Sequence, residues 1–322
     1  MTYPWPQDVL SAIKSGEISP SEAFRILQEM DNIVPRADSA GAQYSQAQRI
    51  DNILHELDNL IGLTEVKKLV REIYAFIEIQ KRREKEKLNT EPLVLHMIFK
   101  GNPGTGKTTV ARILGKIFNE MGVLSRGHLI EVERADLVGE YIGHTAQKTR
   151  EQLKKAYGGI LFIDEAYSLA RGGEKDFGKE AIDCMVKAME DHKDELILIL
   201  AGYQKEMENF LQTNPGLKSR FPIHINFPDY HEPELMQIAE QMCLKRQYQL
   251  TSQTKAALIK VLNLSEKGAE ENFGNARTVR NIIEKAIRRQ AVRLISKQHI
   301  SREELMLIEP GDLAEVGQCE SV

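Results

Sequence analysis

The octapeptide Gly101-Asn102-Pro103-Gly104-Thr105-Gly106-Lys107-Thr108 constrains this chain more than any other stretch. It satisfies G-x-x-x-x-G-K-[ST] in full, which chance produces in roughly one chain of this length in a hundred. An apolar run ends just before it at Phe99, and helical spacing opens at Lys107. The spacing has a chemical reason. Glycines let backbone N–H groups turn inward around an anion, and the helix N-terminus behind them adds partial positive charge. The stretch from Gly101 to Thr109 is therefore expected to cradle the phosphates of a nucleotide. Lys107 would reach the terminal phosphates, and Thr108 would offer its hydroxyl to Mg²⁺. A bare glycine-rich turn before an ordinary helix is the competing reading.

The surroundings fit such a loop. Apolar strand candidates lie at Leu93–Phe99, Leu129–Val132, Ile160–Ile163, Glu195–Ala201 and Ile223–Phe227. Helical spacing alternates with them at Thr108–Met121, Ala146–Ala156, Gly178–Asp191 and Lys205–Gln212. Alternation of this kind predicts an α/β fold with a parallel sheet covered on both faces. Upstream, Leu54–Leu60 and Val66–Ile79 carry helical spacing on either side of a turn at Ile61-Gly62-Leu63-Thr64. Lys81–Lys87 reads as a solvated helix end. After Pro228 no strand signal returns. Pro233–Leu250, Ser252–Gly268 and Ala276–Ser296 read as helices, and a short one can follow Ser301. Trp5–Met30 reads as two short helices and the polar Asp31–Gln48 as a linker; this piece is either a plain appendage or an adaptor. The expected domains are a helical segment with linker over 1–48, an α/β nucleotide-binding domain over 49–228, a helical lid over 229–310 and a tail over 311–322.

Ile160-Leu161-Phe162-Ile163-Asp164-Glu165 supplies the second half of the expected site. Four apolar residues suit a central strand, and the two carboxylates emerge at its C-terminal end, where open α/β sheets bind ligands. Asp164 suits the Mg²⁺ water shell, and Glu165 suits activation of the water that attacks the γ-phosphate. Alone, such a pair often just caps the next helix; behind a complete phosphate loop it reads as catalytic.

Composition excludes other classes. Lys plus Arg is 43 against 47 for Asp plus Glu, a net charge of -4, so nothing global points to nucleic acid. Arg288, Arg289 and Arg293 form the best basic cluster and read as a solvated or subunit-facing helix side. The longest apolar run, Leu196–Ala201, is far short of the ~20 residues of a membrane helix. The N-terminus lacks the pattern of a secretory signal. Cys184, Cys243 and Cys319 are too scattered for a zinc site or a disulfide framework, and a reducing cytoplasm is expected.

The ordered motifs, with the strand Leu196–Ala201 and a helical lid behind them, resemble the AAA+ ATPases. The stretches Leu137-Val138-Gly139-Glu140-Tyr141-Ile142-Gly143-His144-Thr145, Ala201-Gly202-Tyr203 and Asn214-Pro215-Gly216-Leu217-Lys218-Ser219-Arg220-Phe221 resemble the CbbX branch of that family. The similarity spans about residues 50–300. It implies a five-stranded parallel sheet in the order 5-1-4-3-2, a four-helix lid, and a hexameric ring with ATP at each subunit boundary. Arg220 then falls at the arginine finger that reaches a neighbour's γ-phosphate. Arg277, in Gly274-Asn275-Ala276-Arg277, falls at the sensor-2 arginine. Tyr141 and Ile142 would lie in a pore loop that grips a protein client; a Tyr141 packed in the core is the alternative. Many family members carry Asn where Tyr203 stands; Tyr203 or Gln204 takes that place, or a site of the CbbX type works without it. The activity implied is that of a cytoplasmic, ATP-hydrolysing ring that remodels or threads a protein client during sporulation. A nucleic-acid motor or loader and a CbbX-like Rubisco activase are the alternatives; a P-loop small-molecule kinase fits the paired Arg220 and Arg277 less well.

Overall fold

A computed structural model describes residues 45–90, 94–141, 143–171, 177–268 and 273–313. The chain divides into two units, Met1–Arg49 and Ile50–Val322. Of the first only residues 45–49 are described, so the two helices expected within Trp5–Met30 lie outside the described residues, as does the tail over 314–322. Ser45 and Gln48 cap each other reciprocally: the Ser45 N–H donates to Gln48 Oε1 at 2.8 Å and the Gln48 N–H to Ser45 Oγ at 3.3 Å. This capping box opens helix α1 (Gln46–Asp58) earlier than the apolar spacing indicates, so residues 46–48 are helix rather than linker. Helix α2 (Thr64–Lys85) follows and ends in the expected charged turn.

Five strands form the sheet: β1 (Met97–Gly101), β2 (Leu129–Val132), β3 (Gly159–Ile163), β4 (Leu196–Gly202) and β5 (Ile223–Phe227). All pairings are parallel, in the order β2-β3-β4-β1-β5, the expected order read from the other edge. Between the strands run α3 (Lys107–Glu120), α4 (Arg134–Leu137), α5 (His144–Ala156), α6 (Gly178–Asp191), α7 (Gln204–Thr213) and α8 (Pro215–Arg220). Alternate residues of the central strands feed opposite cores. Met97, Phe99, Ile160, Phe162 and Ile199 pack with α1, α2 and α3. Ile98, Leu161, Ile163, Leu198 and Leu200 pack with α5, α6 and α7. Each such side chain contributes about 1.5–3 kcal/mol on burial, whereas an exposed ion pair contributes about 0–1 kcal/mol. The two apolar layers therefore hold the sheet.

The third core belongs to the helices after the sheet: α9 (Glu232–Lys245), α10 (Ser252–Gly268), α11 (Asn275–Ile295) and α12 (Arg302–Met306). Leu235, Leu258, Leu262, Val279, Ile283 and Ile308 are buried together there. Three expectations are corrected here. Helix α9 stops at Lys245, not Leu250, because Gln247 turns left-handed (φ 60°) and the Tyr248 N–H returns to the Cys243 carbonyl at 2.9 Å. Strand structure does return after Pro228, as the two-residue parallel pair β6 (Gln249–Leu250) and β7 (Leu307–Ile308), too short to leave an alternating pattern. Arg293 is also not a solvated or subunit-facing charge. Its guanidinium binds the buried Asp312 carboxylate (3.1 and 3.0 Å) and Glu309 (2.9 Å), locking the end of the described chain onto α11.

Strand β1 begins at Met97; of the expected strand Leu93–Phe99, Leu93 lies outside the described residues and residues 94–96 are not strand, His96 being engaged by its side chain. Its Nδ1 accepts the Leu198 N–H at 3.0 Å, taking a donor that a backbone carbonyl would otherwise accept, and its ring lies 5.8 Å from that of Phe221. Burial pushes the imidazole pKa from 6.5 down to about 4. The neutral form is thus the native one. Its contribution is complete above pH 6.5 and is lost as the pH falls from 6.5 towards 4, amounting to about 3 kcal/mol at the acid end. Replacing His96 by Asn, which keeps an acceptor but cannot titrate, should flatten that part of the acid dependence. Urea titrations at pH 7 and pH 4 check this; an unchanged pH dependence in His96→Asn would contradict it.

Candidate functional site

Parallel pairing brings the ends of β1, β3 and β4 to one edge of the sheet, with Lys100 opposite Gly202 and Ile163 opposite Leu200. The chain leaves β1 at Gly101, turns through the glycine-rich loop and enters α3 at Lys107. Gly104 (φ 72°) and Gly106 (φ 97°) adopt left-handed conformations that suit glycine. A Cβ on Gly104 would also lie 2.3 Å from the Gly274 carbonyl oxygen, so the loop touches the lid backbone directly. Thr105 Oγ1 donates to the Asn102 carbonyl at 2.8 Å and braces the turn. The first N–H groups of α3 have no acceptors within the helix.

Lys107 Nζ donates to the carbonyls of Gly101 (2.7 Å) and Asn102 (2.9 Å). Burial lowers its pKa, opposed by the negative charge of Asp164 and reinforced by the positive charge of Arg277. A partly desolvated ammonium held only by carbonyls is suited to exchange them for phosphate oxygens. Across the cleft, β3 delivers Asp164 and Glu165. Asp164 Oδ1 accepts the Glu165 N–H at 3.0 Å, and Glu165 sits at φ 46°, ψ 43°. A non-glycine residue held there carries about 1 kcal/mol or more of strain, which clusters at functional positions.

The cleft has a volume of about 520 Å³. It brings together most of the expected residues: Gly101, Pro103, Gly104, Gly106, Lys107, Thr108 and Thr109 from the loop, Asp164 and Glu165 from the sheet, and Arg277 from α11. Asn102 and Thr105 turn their side chains away from it. Of the two candidates after β4, Tyr203 lines the cleft, while Gln204 is exposed and donates to Glu208 at 3.4 Å. Burial, then the Glu165 charge, raises the pKa of Tyr203, and likewise of Tyr167, whose ring lies 6.0 Å away.

Two expected residues lie elsewhere. Arg220, in the last turn of α8, binds Glu190 Oε1 at 2.6 Å and the Gly216 carbonyl at 2.9 Å, outside the cleft. Tyr141 is 66% exposed, with its ring against His144, so it is not a core residue. Ile142 lies outside the described residues. The sequence reading missed a largely apolar wall of the cleft beside the glycine-rich loop, made by Leu60, Ile61, Leu63, Tyr230 and Ile238. The available signal was an apolar turn, Ile61-Gly62-Leu63, where turns are normally polar. Gly62 and Leu63 are both left-handed, at φ 60° and 56°, and hold this apolar surface open to the cleft.

Comparison with known proteins agrees with this geometry. Residues 97–229 match the ATPase family associated with various cellular activities (AAA), and residues 231–320 match the AAA lid domain. The chain is 53% identical over 298 residues to stage V sporulation protein K of Bacillus subtilis (strain 168), covering 90% of this chain and 92% of that protein. It is 48% identical over 246 residues to protein CbbX of Cereibacter sphaeroides, covering 76% and 79%. Among solved structures, the FIGL-1 AAA domain in complex with ADP superimposes with a TM-score of 0.56 at 16% identity, covering 80% of this chain and 81% of that one. That last likeness is one of fold.

Proposed function

This chain belongs to the AAA family of ATPases, and from that premise we propose that it is a ring-forming motor that uses ATP hydrolysis to remodel or thread a protein client. It is an ATP-binding, ATP-hydrolysing enzyme. The observation that carries the reading is the single cleft shared by the phosphate loop, the Asp164-Glu165 pair and the lid's Arg277. In it, Lys107 would leave the loop carbonyls to hold the β- and γ-phosphates, the α3 N-terminus would bind phosphate oxygens, and the apolar wall around Ile61 and Leu63 would hold the base. Glu165 would accept a proton from the attacking water as its oxygen bonds the γ-phosphorus, with ADP leaving on the opposite side. Arg277 would neutralise charge on the transferring group. The Thr108 hydroxyl and Asp164 carboxylate suit a hard cation, and Mg²⁺ held there would supply charge neutralisation between the phosphates.

The ring is inferred from Arg220, whose guanidinium is held on Glu190 away from its own chain's cleft. A finger so placed suits the site of a neighbouring copy, and a repeated head-to-tail contact closes into a ring when its rotation permits; a hexamer is proposed. The exposed Tyr141, beside Gly143 at φ 82°, suits a pore loop that grips varied peptide by apolar contact. A protein client is preferred over nucleic acid because Arg293, in the best basic cluster, is consumed by Asp312 and Glu309. No helix among the described residues is long and apolar enough to cross a membrane. A cytoplasmic location is proposed from the family resemblance and the lack of an export-signal pattern in the sequence. Sporulation is proposed from the similarity to stage V sporulation protein K. The domains assigned are 1–48, 49–228, 229–310 and 311–322.

Three variants test the motor. Lys107→Ala should lose tight Mg-ATP binding. Glu165→Gln should keep binding and lose turnover, and in a spore-forming host should lower heat-resistant spore counts. Tyr141→Ala should fold and hydrolyse normally yet lose client remodelling. Nucleotide titrations beside phosphate-release assays check them; near-normal turnover in Glu165→Gln would sink the assignment of the base.

Mixing tests the ring. Arg220→Ala subunits and Lys107→Ala subunits, each inactive alone, should restore part of the activity when combined, because an intact finger then meets an intact phosphate loop. Absence of complementation, with the wild type a fully active monomer by light scattering, would reject a finger acting between subunits.

A further inference from the structure

One acidic side chain joins the phosphate loop to the lid. Asp229 lies in the turn after β5, and its carboxylate accepts Asn102 Nδ2–H from the loop, at 3.1 Å on Oδ1 and 2.9 Å on Oδ2. The same Oδ1 accepts from Asn275 Nδ2 at 2.7 Å. Asn275 is the first residue of α11, fully buried and held at φ 47°, a conformation uncommon for any residue but glycine. Its amide is committed on every side: Nδ2 also donates to the Phe273 carbonyl at 2.9 Å, and Oδ1 accepts the Tyr230 N–H at 2.9 Å.

The links continue in both directions. Towards the catalytic centre, the Asn102 carbonyl is one of the two that hold Lys107 Nζ. Towards the lid, Asn275 precedes Arg277 by two residues on the same helix, and the Ala276 N–H reaches the Gly104 carbonyl at 3.3 Å. Each amide donates to a full negative charge, and such charge-assisted bonds are about twice as strong as neutral ones. The geometry therefore supplies an unbroken path from the ammonium that meets phosphate to the helix that carries Arg277.

We propose that Asp229 is a positioning residue that fastens the lid helix to the phosphate loop, so that the place of Arg277 follows the state of the loop. The proposal rests on the reading that this loop holds ATP phosphates. When Lys107 leaves the Asn102 carbonyl, that carbonyl keeps the bond from Thr105 Oγ1, and the shift of Asn102 that the lost bond allows passes through its side chain on Asp229 to Asn275. By linkage the coupling is reciprocal: displacing the lid changes nucleotide affinity by the factor with which nucleotide biases the lid. Asp229 touches no reacting atom in this account. It acts through Asn102 and Asn275.

Hydrogen exchange of the segment 274–283, followed with and without a slowly hydrolysed ATP analogue, tests the proposal alongside fluorescent-nucleotide titration and steady-state kinetics. In the wild type the analogue should slow exchange in that segment. Asp229→Ala should bind the analogue within about threefold of wild type, lose the exchange response, and lower kcat about tenfold with KM changed less than about threefold. Asp229→Asn, which keeps one acceptor oxygen, should recover part of both. If Asp229→Ala melts lower yet retains the exchange response and kcat, the residue is only structural and the proposal is overturned. If Asp229→Ala does not fold, Asn102→Ala cuts the same link from the loop side and must uncouple the lid; a normal response there also overturns it. A wild type that binds no analogue overturns the reading of the site itself, a separate result from failure of the coupling.

Discussion

Parallel pairing of β1, β3 and β4 is the constraint on which the rest of this molecule depends. Because the strands run the same way, their C-terminal ends, Gly101, Ile163 and Gly202, arrive at one edge of the sheet. The phosphate loop, the carboxylate pair and Tyr203 are the next residues of those three strands. No side chain needs a special path to reach the cleft. The two apolar layers that clamp the sheet thus fix the distances within the site, and the exposed ion pairs do little of that work.

The cleft is electrostatically mixed rather than simply basic. Lys107, Arg112, Arg277 and Arg280 line it together with Glu131, Asp164 and Glu165. Here Lys107 is parked on loop carbonyls, and Glu165 is held in a strained left-handed turn at the strand end. Tyr203 and Tyr167 stand close to Glu165, with their rings 6.0 Å apart. Burial, then the Glu165 charge, raises both phenol pKa values.

What was legible in the sequence divides along physical lines. The phosphate loop and Asp164-Glu165 were legible because local chemistry dictates their residue types: glycines where the backbone must turn, carboxylates at the end of an apolar strand. The sheet was legible because buried parallel strands read as short apolar runs. The apolar wall at Ile61 and Leu63 was not, since its role appears only when α1 and α2 fold against the loop and expose a turn to the cleft. Asp229 and Asn275 were equally invisible, being 46 residues apart and joined by one side-chain bond. The pair β6 and β7 escaped because two residues carry no periodicity. Arg293 misled because a charge cluster on one helix looks solvated until its partner Asp312, 19 residues later, folds back onto it.

The central claim is that nucleotide phosphates lie between Lys107 and the Asp164-Glu165 pair. It is tested most directly by a structure of the protein with Mg²⁺ and a slowly hydrolysed ATP analogue. The account predicts Lys107 Nζ on phosphate oxygens and off the Gly101 and Asn102 carbonyls, with the base against Ile61 and Leu63 and Arg277 turned to the terminal phosphate. A nucleotide bound elsewhere, with Lys107 still on its loop carbonyls, would contradict it.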